Sequence, residues 1–330
     1  MSTSDPEFLH NYLLPHDTEE QIRLQNQYNL AKDVMGHASA VPEWIKLSEI
    51  TNVMDVAAGT LVWTFDLIGS PAVRERLNPS ESAPDRINLY ACDITDAKFP
   101  PKEQLDSMGI KTFLQDITKP FPEKFKGTFD LIHMGLVRIS LTSEGWKKAL
   151  KNIYEILKPG GLLHMVELDH VFYAKDELPP DMYSGHDMKT KLTGSAWLHK
   201  LNSVVYLTAT SNGFLHDVSY PSLGTLIKSA SFFITSYDQS PMPFGALCRT
   251  LRGSKGALLE SAEKPTLDNL NIVTSMLIKG LYSQGRLEAP SGHPITSEEE
   301  CKDVMDDILT GCTEEGAFIM IFEYVARKDL

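Results

Sequence analysis

A chain of 330 residues with 31 basic and 44 acidic side chains has a formal net charge of −13. That balance leaves no Lys and Arg cluster to displace counterions from nucleic acid or to hold an anionic membrane surface. Hydrophobic residues make up 42% and charged residues 23%, the range of a soluble globular chain, and the length allows one large domain or two small ones. Four cysteines, Cys92, Cys248, Cys301 and Cys312, include no C-x-x-C pair and no zinc-like His spacing, so they read as reduced thiols with no metal. The N-terminus carries acids where a secretory leader has Lys or Arg, and the longest apolar run, Ala317 to Phe322, is far short of the roughly 20 residues a bilayer demands. The expectation is a cytoplasmic protein that meets neither nucleic acid nor membrane.

Residues 1 to about 50 read as a helical cap. Asp17 followed by Glu20 resembles a capping box, with a helix starting near Thr18. From about 51 the pattern changes to short apolar runs separated by amphipathic stretches. Asn52 to Val56, Ile87 to Cys92, Ile110 to Leu114 and Phe129 to His133 are expected as buried strands, and the Ser-, Pro- and charge-rich stretch 69 to 86 as a surface insertion. Between Thr142 and Lys158, Trp146, Leu150, Ile153 and Leu157 fall on one helical face, and Pro159, Gly160 and Gly161 end the helix. Leu162 to Glu167 is apolar at nearly every position, as a parallel strand covered on both faces should be. Further on, helices are expected over 186 to 213, 223 to 229, 266 to 283 and 297 to 310, with strands over 232 to 237 and 317 to 325. Strands alternating with helices imply right-handed crossovers and an open parallel sheet.

The chemistry concentrates at strand ends. In NVMDVAAGTLVWTFDLI a strand runs through Asp55 into a small-residue turn and a helix, the arrangement that lets backbone approach a ligand at the carboxyl edge of a doubly wound sheet. Asp93 ends the second strand, where a carboxylate accepts both hydroxyls of a ribose. Asp116 follows the third, placed to accept from an adenine amino group. Together these acids describe a nucleoside pocket with a cationic tail near Asp55.

Asp55-Val-Ala-Ala-Gly59-Thr60, Asp93, Gln115-Asp116, Phe129-Asp-Leu-Ile-His133 and the helix ending Leu157-Lys-Pro-Gly-Gly161, in that order, resemble the motifs of class I S-adenosylmethionine (SAM)-dependent methyltransferases. The stretch Tyr12-Leu-Leu-Pro15-His-Asp17-Thr-Glu19-Glu20-Gln-Ile-Arg23-Leu24 and the final Phe318, Phe322 and Ala326-Arg-Lys328 are similar to the small-molecule methyltransferases of fungal secondary metabolism. The likeness covers about 10 to 167 well and the remainder in outline. It implies an α/β, Rossmann-like, doubly wound seven-stranded sheet, mostly parallel with an antiparallel last strand. The cap over 1 to 50 would precede a SAM-binding domain over 51 to 330, which carries a substrate-cap insertion at about 170 to 220. SAM would be the cofactor, with Tyr12, Asp55, Ala57, Gly59, Asp93, Asp116, Ile117 and His133 around it. One departure stands out: the family's Asp-x-Gly-x-Gly-x-Gly turn has Ala57 and Leu61 at its first and third glycines. A side chain there at positive φ costs about 1 kcal/mol, and Leu61 is expected to crowd the ligand.

The function so implied is methyl transfer to a small, natural-product-like and largely apolar acceptor, with O-methylation foremost. His133 would serve as base, or His170 with Asp169, where the fifth strand ends. The bland readings are a satisfied structural imidazole for His133 and loop structure for Asp169 and His170. His186 and His199 read as cap structure, and Trp63 and Trp197 as packing. A non-methylating cyclisation, isomerisation or pericyclic rearrangement on the same fold is the alternative, a non-enzymatic pseudo-methyltransferase the second, and self-association as a homodimer is open.

Overall fold

Strand β1 (Asn52–Val56) lies at the centre of the sheet, pairing in parallel with β2 (Asn88–Asp93) on one side and β4 (Phe129–Gly135) on the other. The computed structural model describes residues 18–77, 86–186, 188, 192, 196–253 and 256–330. Outward from β1, β3 (Ile110–Leu114) joins β2, and β5 (Leu157–Ala174) joins β4. The last strand, β7 (Ala317–Lys328), runs antiparallel between β5 and β6 (Phe232–Phe244), giving a seven-stranded sheet of order β3-β2-β1-β4-β5-β7-β6. The order reverses between β1 and β4, and a crevice opens at such a switch point.

Helix α1 (Thr18–Met35) starts where the sequence predicts; Asp17, its expected cap, lies outside the described residues. After β1 come α2 (Val62–Gly69) and α3 (Pro71–Leu77), then α4 (Lys102–Ser107) ahead of β3. Part of the expected surface insertion is therefore folded: Val73 and Leu77 of α3 are buried against Val53, Leu89 and Leu131. On the opposite face lies α5 (Ser143–Ile156), whose Trp146, Ala149, Leu150 and Ile153 are fully buried. Burying each large apolar side chain contributes about 1.5–3 kcal/mol. Thr142 caps α5, its hydroxyl accepting from the Gly145 amide at 3.0 Å. The helix stops at Ile156 because Pro159 disfavours helical backbone at Lys158, and the chain is already pairing with β4 at Leu157.

Two strands run well past their expected ends. The predicted fifth strand closes at Glu167, whereas β5 continues to Ala174, and β6 continues to Phe244 rather than Tyr237. Both extensions pair with β7: Tyr173 with Phe318 on one side, Phe244 with Ala317 on the other. Asp169 and His170 thus do not leave the sheet at a strand end. They fall where the β5–β7 register shifts between Leu168 and Phe172, and both are fully buried.

Of the helix expected over 186 to 213, α6 (Ala196–Asn212) is described; several residues before it are not. Helices α7 (Leu223–Ser229), α8 (Glu263–Ser283) and α9 (Glu298–Glu314) complete the chain, the last begun by a capping box between Ser297 and Glu300. Helix α1 packs on α2, α8 and β6. It is fastened by Lys32 and Tyr28 to Asp66, each at 2.7 Å, and by Arg23 to Asn269 at 2.9 Å. Among the described residues no helix is long and apolar enough to cross a membrane.

Candidate active site

The turn after β1 puts three residues in left-handed backbone: Ala57 (φ 55°), Gly59 (φ 53°) and Leu61 (φ 60°). The two replaced glycines therefore do carry their side chains at positive φ, at about 1–2 kcal/mol each. Leu61, however, does not crowd the cleft. It is fully buried with Ala91, Leu105 and Ile110, beneath the strands, and burial of a leucine returns roughly what its backbone costs. Ala57, Ala58, Gly59 and Thr60 form the rim instead. Gly59 has open space around its Cα, so only its φ asks for glycine.

The Gly59 amide donates to Asp93 Oδ2 at 2.8 Å, and Ile94 N donates to Oδ1 at 2.7 Å. Burial raises the Asp93 carboxyl against the pull of these backbone donors and Lys98. Each oxygen keeps acceptor capacity for the two hydroxyls of a ribose. Asp55 lies deeper, accepting from the Thr64 hydroxyl at 2.6 Å. Burial pushes its carboxyl up to about 7, with Asp93 adding to the rise and Thr64 opposing it. A cation beside it would restore the charged form. Asp116 Oδ1 accepts from Thr118 N and Oγ1 at 2.8 and 2.7 Å, whereas Oδ2 is buried with no partner. An unmet buried acceptor invites a donor such as an exocyclic amine. Ile117 is buried beside it, its carbonyl accepting from Asn152 Nδ2 at 2.9 Å.

Asp55, Ala57, Gly59, Asp93, Asp116 and Ile117 face one open cleft of about 1320 Å³, its solvent mouth included. Three strand-end carboxylates, one with an orphaned oxygen, over an apolar wall suit a cationic nucleoside, so the residues present fit SAM. Of the expected cofactor set, Asp55, Ala57, Gly59, Asp93, Asp116, Ile117 and His133 line this cleft; Tyr12 lies outside the described residues.

His133 occupies the same sheet row as Asp55 on β1 and His164 on β5. Trp63 of α2 stacks on its ring at 4.2 Å and 4°, while the Trp63 Nε1 donates to Ala40 O at 2.7 Å. His133 Nδ1 lies 3.1 Å from His164 Nδ1, and His164 Nε2 lies 2.8 Å from Glu323 Oε1. His37, just past α1, reaches the same carboxylate at 2.8 and 2.9 Å. Burial alone would raise the Glu323 carboxyl, but hydrogen bonds from His164 and His37 outweigh it and hold it at about 2. Burial, then His164, keeps His133 well below its usual range, so it is neutral. With His164 Nε2–H donating to Glu323 and His133 Nδ1–H donating to His164 Nδ1, His133 Nε2 is left as an acceptor; this is one of the two proton arrangements that the Nδ1–Nδ1 contact admits. His133 Nε2 sits 3.1 Å from where a Cβ on Gly135 would be, at the cleft wall.

The other expected catalytic pair lies elsewhere. Asp169 is paired with His186 and accepts from His170 N at 2.7 Å, and both ring nitrogens of His170 are buried without a partner. Neither residue lines the cleft. His37, His164 and Glu323 escaped the sequence reading. Glu323 did leave a trace, as the one acid inside the apolar run from Ala317 to Val325.

Comparison with known proteins places the chain. Residues 25–252 match the ubiE/COQ5 methyltransferase family. N-methyltransferase sirN of Leptosphaeria maculans is 28% identical over 66% of this chain and 68% of its own length. Methyltransferase grgD of a Penicillium species is 29% identical over 53% of this chain and 58% of its own length. Among solved structures, phosphoethanolamine N-methyltransferase 2 of Haemonchus contortus, in complex with SAM, aligns over 85% of this chain and 49% of that one, with a TM-score of 0.41 and 9% identity. The chain belongs to the ubiE/COQ5 methyltransferase family and is a class I SAM-dependent methyltransferase.

Proposed function

We propose that this chain methylates a small, largely apolar, natural-product-like acceptor at an oxygen whose proton passes to His133. The observation that carries the reading is that Asp55, Asp93, Asp116 and His133 line one cleft, with His133 Nδ1 turned to His164. When bound, SAM supplies an already electrophilic methyl group. The chain's own work is alignment and one proton transfer. Asp93 holds ribose hydroxyls, Asp116 Oδ2 an amine, and Asp55 a cationic tail, with Ala57, Gly59 and Ile117 shaping the rim. His133 takes the acceptor proton on Nε2, while His164 and Glu323 hold its tautomer and stabilise the imidazolium that forms. Trp63 fixes the ring. Among the described residues, Leu24, Tyr28 and Ala31 of α1 line the cleft, and Leu201 and Val205 of α6 line the cavity beside it.

N-methylation is the second reading, favoured by the similarity to the N-methyltransferase sirN. Calorimetry with SAM, followed by turnover of an organic extract with methyl-deuterated SAM, tests the proposal. A product heavier by a labelled methyl, with a methoxy carbon shift, supports O-methylation, and an N-methyl shift replaces it with the second reading. SAM binding without label transfer overturns both and favours a rearrangement on this fold.

A further inference from the structure

Beyond Leu136 the cleft adjoins a second cavity, and the two share Leu24, Leu136 and Ser140 in their walls. Its lining is mostly apolar: Leu168 and Phe172 of β5, Leu201 and Val205 of α6, and Leu270 and Leu277 of α8. Two guanidinium groups, Arg23 and Arg138, also border it, and among the described residues no carboxylate does. In a chain of net charge −13 that is a reversal of the general balance.

Arg23 is held by Gln27 Oε1 and Asn269 Oδ1, each at 2.9 Å. Arg138 has no such arrangement. Its Nη1 is buried with no hydrogen-bond partner. The nearest carboxylates, Glu167 and Asp169, attract it through space, but their oxygens are engaged elsewhere: Glu167 by the Val137 and Arg138 amides at 2.9 and 3.2 Å, and Asp169 by His186 and His170 N. Burial moreover pushes the Glu167 carboxyl up to about 8, against the pull of those amides and of Arg138. Arg138, lowered by burial only to about 10, keeps its charge. Arg138 is half-buried as a whole, and its buried, unmet Nη1 donor is costly unless something arrives to meet it. A planar guanidinium matches an oxyanion best.

We propose that this second cavity is the acceptor pocket and that its ligand is a small apolar monoanion, with an oxyanion of carboxylate type hydrogen-bonded to Arg138. The proposal rests on the reading of the adjoining cleft as the methyl-donor site, since the shared wall at Leu136 and Ser140 is what brings an occupant to the donor. Apolar side chains bind the body, and Arg138 orients it.

Calorimetry on the full chain with 2-naphthoate and its uncharged isostere 2-naphthamide, with and without S-adenosylhomocysteine, tests this. The acid should bind at least about tenfold tighter than the amide, as one charge-assisted hydrogen bond warrants. R138M should abolish that preference and R138K should keep part of it, both with unchanged S-adenosylhomocysteine affinity. V205W, which fills the cavity, should bind neither probe. Equal binding of acid and amide to the unmodified chain, binding of neither, or an acid preference that survives in folded R138M overturns the proposal. Absence of S-adenosylhomocysteine binding strikes the donor-site reading alone, because the acid–amide comparison is also made without it.

Discussion

His164 Nε2 and Glu323 Oε1 lie 2.8 Å apart, buried between β5 and β7, and on the other side of the same ring His164 Nδ1 meets His133 Nδ1 at 3.1 Å. E323Q removes the anion that fixes the His164 proton. A positioning residue behind a reacting histidine is worth about ten- to a hundredfold, so kcat should fall by that factor with KM and S-adenosylhomocysteine affinity little changed. Steady-state kinetics across pH check it. The carboxyl also carries a stability signature. It is held at about 2, below the 4.5 of a free glutamate, so its contribution is full above about pH 5 and is lost as pH falls toward 2. The shift corresponds to about 3 kcal/mol. E323Q should lack that acid-sensitive part in a denaturation series.

Asp55 has the opposite sign. Its carboxyl is raised from 3.8 to about 7, so stability is greatest below pH 4 and is lost as pH rises through 7, by up to about 4 kcal/mol. D55N should melt higher than the parent at pH 8 and converge with it at pH 4, while binding SAM at least tenfold more weakly. Thermal melts over that range, with calorimetry at pH 8, decide it.

A methyl group at position 135 would stand 3.1 Å from His133 Nε2 and 3.3 Å from the Val166 carbonyl. G135A should therefore leave SAM binding within a few-fold and cut kcat steeply. Undiminished kcat in folded G135A argues against His133 Nε2 as the proton acceptor.

The two replaced glycines separate backbone strain from burial. A57G relieves positive φ at a partly exposed site and should stabilise by about 1 kcal/mol. L61G relieves the same strain but gives up a fully buried side chain, and should destabilise by about 1–2 kcal/mol. Denaturant midpoints at constant slope report both.

His170 has two buried ring nitrogens without partners. H170F should melt at or above the parent temperature and keep activity within about twofold. A large loss of kcat with the fold intact would move the base from His133 to His170.

Much of the fold was legible. The first four strands and α5 carry their own period and their own stop signals, so local pattern sufficed. The excess lengths of β5 and β6 were not legible, because both come from pairing with a strand that arrives more than 70 residues after β6 ends. The carboxylates followed the same division. Asp55, Asp93 and Asp116 announce themselves by ending strands, whereas the Glu323 partnership spans 159 positions to His164 and 286 to His37. The expectation for Asp169 and His170 failed in placement for one reason: a strand taken to stop at Glu167 continues.

The insertion of β7 between β5 and β6 also orders events in time. During synthesis both neighbours emerge first, each with an unpaired edge turned toward the other, and such edges invite pairing with foreign strands. The strand that closes them also delivers Glu323. Sealing the sheet and completing the Glu323–His164–His133 contacts are thus one step, so a nascent chain carries the proposed base without its positioning partner until its sheet edges are closed.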